Sequence, residues 1–412
     1  VMHWYRVSSA LAAIAAFGTF LIAASSQAGQ YEGAPTFSAA QAIQGVPLHG
    51  ADYSISDRVP VENFQYVFSV NTKWGPFRVK GSDLLRVRLR EITATEKLEE
   101  VNGAETAVKS AGRTALAPLN TAKDLVTQPA QTIGDTVRGV GNIFGTARAT
   151  MNATDPHGDR IIASVTGGAS ARRKQAFNLG VDPNTSFPPL AEQLKRVATA
   201  SAVGATSANV GMSFVAGPAG YAISATGTVG QVRELLRDKT PADLEKEGRA
   251  LLAVMGVSQG TMNAFYANPN LSPTDKIVIV KVLESLGGIQ RRELFVAGAA
   301  KAPSVEMGFF YRHQAMLIQQ YAKRVSPVRG FVSVGGAPML MTANGSVSIL
   351  PVDYLNWSAP LNQIASTSHD GELWITGKAS PMATSQLSAL GWKVVPKAGA
   401  RLGTYPQLAG WK

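Results

Sequence analysis

The chain contains no cysteine. That excludes disulfide scaffolds, thiolate metal sites, cysteine nucleophiles and a lipid-modified cysteine anchor. Histidine is scarce: beyond the first 28 residues only His49, His157, His313 and His369 occur. They form no His-x-x-x-His or His-Glu-x-x-His pair, so no histidine-built zinc site and no metal are expected. Acids are outnumbered, 28 Asp+Glu against 39 Lys+Arg, giving a net charge of +11. The basic clusters Arg172-Arg173-Lys174, Lys195-Arg196 and Arg291-Arg292 are short and dispersed. With no aromatic-flanked basic run beside them, nucleic acid is not an expected partner. What is present is ordinary for a globular protein. The length of 412 residues allows two to three domains of roughly 100–200 residues each, and 45% of residues are hydrophobic.

The N-terminus has the three parts of a secretory signal in order. Arg6 supplies a positive charge, Ala10 to Ala24 is uncharged, and Ser26-Gln27-Ala28 offers small residues at a cleavage site. The apolar core is about 15 residues, short of the ~20 that a spanning helix needs. Cleavage after Ala28 is expected, with an N-terminal membrane anchor as the alternative. Export without cysteine fits a bacterial envelope protein, in the periplasm or peripherally on a membrane. Its excess positive charge suits anionic lipid headgroups or envelope polymers.

The pattern along the chain predicts an α+β protein, mainly helical. It has an N-terminal β-hairpin, a central helical region with a Gly/Ala-rich hairpin, and a C-terminal α/β unit. Residues 29–50 read as a flexible tail, and 51–110 as a small β-hairpin plus helix. Phe64, Tyr66, Phe68 and Val70 alternate as one strand, Asn71 to Gly75 turns, and Phe77 to Val79 follows. A helix is preferred from Ser82 onward, although Arg86, Arg88 and Arg90 also alternate with Val87 and Leu89.

Residues 111–232 hold amphipathic and Gly/Ala-rich helices. An apolar stripe runs from Leu119 to Ala147 and suits either the protein's own core or a membrane surface. Val197 to Val232 has no charged residue and is mostly Gly, Ala, Ser and Thr. Small residues at every fourth place let helix backbones approach closely, with Gly204 and Gly220 expected at the contacts. A soluble hairpin or a membrane insertion would each explain it, and strong apolar residues are too few for confident insertion at about −0.3 to −0.6 kcal/mol each.

Residues 233–326 read as helices. Thr240-Pro241-Ala242-Asp243 and Ser272-Pro273-Thr274-Asp275 each supply an N-cap, a proline at N1 and an acid at N3. Residues 327–412 read as the α/β region. Asn344-Gly345 turns a hairpin, and strands at Leu373 to Thr376 and Trp392 to Val395 flank a helix begun by Ser380-Pro381, a parallel β-α-β unit.

Few constellations could carry chemistry, and no catalytic residue and no cofactor are expected. Ser368-His369-Asp370 is too contiguous for a catalytic triad, whose members converge from separate elements. Asp155-Pro156-His157-Gly158-Asp159 lacks the acidic repeat of a calcium loop. Gly139-Val140-Gly141 to Gly145 departs from dinucleotide spacing. Glu306 and His313, on one helical stripe, could bury a histidine beside a carboxylate and raise its pKa, although a satisfied core or interface histidine is the preferred reading. The turn Gly377, Lys378 and Ser380 lies between a strand and a helix, and it is the expected ligand-binding site. Free amides, the helix dipole and the lysine charge would there attract an anion. The leading expectation is therefore a non-catalytic, membrane-surface envelope protein. Its rival is a periplasmic enzyme or ligand-binding protein using that turn.

Overall fold

The computed structural model describes residues 31–114, 168–202, 228–334, 337–367 and 371–402. Several expectations lie outside these residues: the signal at 1–28, the stripe at 119–147, Gly204, Gly220, and the turns at 139–145 and 155–159. Ser368, His369 and Asp370 lie outside them too. The described residues are mixed, about 52% helical and 21% strand, with several sheets.

The first sheet contains β1 (Thr36–Ser38), β2 (Tyr53–Ile55), β3 (Arg58–Glu62), β4 (Gln65–Thr72) and β5 (Gly75–Lys80). Its path is β1-β3-β4-β2, with β5 also on β4, and its pairings are antiparallel. The expected strand is present, but its alternation in burial holds only in part, because Val67 on the opposite face is buried as well. Tyr66, Phe68 and Val70 are buried, and Val70 pairs with Phe77 across the hairpin.

Two expectations change here. The hairpin is part of a five-stranded sheet, and the segment taken as a tail supplies both β1 and a short helix, α1 (Ala39–Ala42). Ser38 and Gln41 form a capping box at α1, while Ala39 and Ile43 are buried. The Phe37 ring lies 5.4 Å from Tyr66 and 5.0 Å from Tyr354. So few apolar residues leave no periodic signal, and their burial depends on partners far along the chain.

Ser82 begins α2 (Ser82–Thr114), as preferred. Its Leu85, Ile92 and Leu98 pack with the sheet and with α3 (Gly168–Leu179) and α4 (Pro188–Ala202) in one core cluster. A second core forms around α5 (Thr228–Asp238), α6 (Pro241–Val254), α7 (Gln259–Ala267), α8 (Pro273–Ser285), α9 (Glu293–Ala299) and α10 (Val305–Arg324). Both expected capping boxes are made, Thr240 with Asp243 and Ser272 with Asp275. Gly256 and Gly287 follow α6 and α8 with φ of 77° and 70°, the left-handed turn that ends helices. The run Ile277-Val278-Ile279-Val280 in α8 is buried throughout. By propensity that β-branched run suits a strand. The proline-acid cap and burial on all sides make it a central helix.

The C-terminal sheet has β6 (Val328–Val334), β7 (Ala337–Thr342), β8 (Gly345–Leu350), β10 (Gly371–Ile375) and β12 (Trp392–Val395), in the order β12-β10-β8-β7-β6. β6, β7 and β8 are antiparallel, with Thr342 opposite Gly345 at the Asn-Gly turn. β8, β10 and β12 are parallel. Between β10 and β12 runs α12 (Pro381–Ala389), which gives the expected β-α-β order. A minor parallel pair joins β9 (Tyr354–Leu355) to β11 (Lys378–Ala379). The helices α11 (Ala359–Ala365) and α13 (Gly399–Leu402) complete the region. α10 lies on this sheet, where Gln314 donates Nε2–H to the Ile349 carbonyl at 2.9 Å.

Candidate functional site

The two sheets meet α10 around a cavity of about 400 Å³, within the 300–1,000 Å³ typical of small-molecule sites. Its wall is largely apolar. Met339, Leu350 and Leu373 come from the C-terminal sheet, Leu361 and Leu387 from its helices, and Met307, Phe309 and Phe310 from α10. Phe64 comes from the turn joining β3 to β4. The polar members include Asn63, Gln65, Asp83, Ser304, His313 and Ser348, with Glu62, Lys80 and Glu306. Glu62 is held by Arg78 at 2.7 Å and Lys80 at 2.9 Å, and Lys80, foremost, pulls its carboxyl below the usual range despite partial burial.

The Phe64 turn is strained. Asn63 and Phe64 have φ of 51° and 64°, the left-handed region in which a bulky residue is an outlier. Two residues of positive φ suit the right-handed twist of a two-residue hairpin, and glycine usually takes the second place. The Phe64 carbonyl is locked by the amides of Asp353 at 2.9 Å and Tyr354 at 3.1 Å. The sequence pattern put Phe64 inside the strand, whereas β4 starts one residue later. Strain of this kind persists where the surroundings over-determine it, and it concentrates at functional sites.

His313 is buried and faces Asp83, with Nδ1 3.2 Å from Oδ2. The expected carboxylate, Glu306, lines the same cavity but is not the acid in that pair. The expected direction is also reversed. Burial pushes the His313 pKa below its ordinary value, more than Asp83 raises it, and the neighbouring Arg312 lowers it too. A neutral imidazole donating Nδ1–H to Asp83 keeps its lone pair on Nε2. Asp83 comes from the first turn of α2, and no spacing along the chain announces that meeting.

Behind the cavity, Asp353 fastens the two sheets. Its carboxylate accepts from the Tyr66 amide at 2.9 Å and from the Ser82 amide at 3.1 Å. It thus caps α2 from a position 271 residues away, where a negative charge suits the helix dipole. Burial still dominates and raises its pKa to about 6. A second buried cluster joins α10 to the loop before α4. Arg312 Nη1 lies 3.0 Å from Asp275 and 3.4 Å from Asp182, and Thr274 donates to Asp182 at 2.6 Å.

The expected ligand turn is built differently. The Gly377 amide donates to the Val352 carbonyl at 2.8 Å, Lys378 to Asp353 at 2.9 Å and Ser380 to Leu355 at 2.9 Å. Those amides are therefore spent on β9 and its flanks, not left free. A Cβ on Gly377 would sit 1.9 Å from the Asp353 carbonyl oxygen, so the close approach that glycine allows is to the chain itself. Ser380 caps α12 through Ala383 and donates its hydroxyl to Glu32. Glu32 also accepts from the Trp357 amide at 2.6 Å. The helix start does attract an anion, and that anion is the chain's own Glu32. Lys378 is exposed.

No protein family, no curated protein and no solved structure matches this chain.

Proposed function

We propose that this chain is an exported envelope protein that binds an apolar ligand between its two sheets and lies on a membrane surface. The single observation that carries ligand binding is the cavity of about 400 Å³ with its aromatic and aliphatic wall. Large apolar pockets with a few convergent polar groups are where small molecules bind. The pair His313 and Asp83 places polar groups inside that apolar wall, which suits a ligand with an apolar body and a polar end. The tripartite N-terminus supports export, and the net charge of +11 supports an anionic surface. Among the described residues no helix is long and apolar enough to cross a membrane. N-terminal sequencing of exported material, starting at Gly29, checks cleavage.

Titration with the neutral dye Nile red tests the cavity. Saturable binding is expected for the native chain. Met307→Trp, which fills the space, should weaken it about tenfold, a loss of roughly 1.4 kcal/mol. Phe64→Gly removes part of the aromatic wall and should bind the dye less well, the relieved left-handed backbone cost of about 1–2 kcal/mol offsetting only part of the lost packing. Undiminished binding by Met307→Trp sinks the cavity as the site.

A further inference from the structure

The face formed by α3 and α5 carries cations that the described residues do not fully answer. The Arg233 guanidinium lies 4.0 Å from the centroid of the Phe177 ring and that of Arg237 lies 4.9 Å from it. Arg237 is neutralised in place, with Nε 2.7 Å from Asp238 Oδ1 and Nη2 2.8 Å from Oδ2. Arg233 is not so served, having only the nearby charge of Glu234. Its Nε is buried and has no hydrogen-bond partner among the described residues. Burial first, and then the like charge of Arg237, holds Arg233 below the usual arginine range. Arg173, 7% exposed, reaches the Arg237 carbonyl at 3.3 Å. Lys174 stands exposed one residue further on. A buried donor without an acceptor is costly. A planar guanidinium held on an aromatic ring is preorganised for the paired oxygens of a phosphate.

The neighbouring sequence points to where that phosphate comes from. α4 ends at Ala202 and α5 begins at Thr228, and residues 203–227 between them contain no charged side chain. α3 packs against both of these helices. An uncharged stretch of sequence joined directly to a cationic helical face supplies the two elements of membrane-surface attachment, uncharged chain and attraction to anionic lipid.

We propose that Arg233, stacked on Phe177 beside Arg237 and with Lys174 exposed close by, forms a docking surface for the phosphate of an anionic phospholipid headgroup. This rests on the membrane-surface part of the reading above and is independent of the cavity.

Co-sedimentation of the full chain with phosphatidylcholine vesicles, with and without phosphatidylglycerol, tests it. The native chain should pellet with the anionic vesicles only. Arg233→Gln/Lys174→Gln should lose about tenfold or more in affinity, whereas Lys301→Gln/Lys323→Gln, with the same loss of charge elsewhere, should lose less than about threefold. Arg233→Lys, which keeps the charge but loses the planar fork, should recover only part of the binding, and an unchanged urea midpoint shows that a variant is folded. Equal binding by the double variant and the native chain overturns the site alone. Failure of the native chain to pellet with any vesicle overturns the site and the membrane-surface reading together, and leaves Nile red to judge the cavity. Saturable binding of inorganic phosphate, lost in the double variant without any vesicle binding, would make this a soluble-phosphate site and overturn the headgroup assignment.

Discussion

Replacing Arg312 with methionine is expected to cost about 3–5 kcal/mol of folding stability. Arg312 is 6% exposed, and its partners Asp182 and Asp275 are 8% and 4% exposed. Removing the guanidinium leaves two carboxylates in a place water does not reach, and that uncompensated charge, more than the lost pairing, sets the cost. Burial already raises the Asp182 pKa even with Arg312 in place. Thr274 and the Asn184 amide also donate to Asp182, at 2.6 and 2.8 Å, but neither brings a charge. Arg312→Lys should recover only part of the loss, since one ammonium replaces a planar fork. Urea unfolding provides the measurement. A loss below about 1 kcal/mol for Arg312→Met would show that the cluster rearranges or admits water, and the buried-charge account would fail. The cluster joins α10, α8 and the loop before α4, so its loss loosens the helix that carries His313 and the cavity wall.

The second large effect is at Asp353. Asp353→Ala should destabilise by roughly 2–4 kcal/mol, because the Tyr66 and Ser82 amides both lose their acceptor at about 1–3 kcal/mol for each unsatisfied group. Asp353→Asn keeps an acceptor oxygen and should lose far less. The two variants also separate the hydrogen bonds from the charge through pH. Asp353 titrates at about 6 in the folded chain, against 3.8 for an ordinary aspartate, so the folded state holds this proton more tightly. Its contribution to stability is therefore complete below about pH 4 and is lost as the pH rises through 6. That amounts to about 3 kcal/mol across the interval. His313 works the other way. Its depressed pKa contributes stability above about 6.5, the ordinary histidine value, and that contribution fades as the pH falls. The difference in stability between native chain and Asp353→Asn isolates the aspartate, and it should change between pH 4 and pH 7 in favour of the asparagine variant. A difference that stays flat over that range would mean that Asp353 does not titrate there. If Ala and Asn proved equally stable, the amides would be finding other acceptors.

The features legible along the chain are those whose causes lie within a few residues of one another. Thr240 and Ser272 cap helices through the acids three positions on. Gly256 and Gly287 end those helices because a residue without Cβ turns left-handed at little cost, and Asn344-Gly345 sets the register of β7 on β8. Alternation at Tyr66, Phe68 and Val70 marks a strand because side chains of a strand alternate in direction. Ser380 also behaves locally as its position suggests, as the cap of α12.

Tertiary structure decided what those local rules leave free, namely which partner answers each polar group. An amphipathic pattern states that a face is buried but not against what. The amides at Gly377 and Lys378 look available beside a strand end, and the chain returns from residues 352 and 353 to take them. His313 finds Asp83 and not Glu306, Arg312 finds Asp182 across 130 positions, and Asp353 caps a helix that begins 271 residues earlier. No periodicity connects such pairs, because the energy that selects them is desolvation, and desolvation exists only once the whole core has closed. The cavity has the same origin. It is the space left where two sheets and α10 meet, and a volume between three elements belongs to none of their sequences.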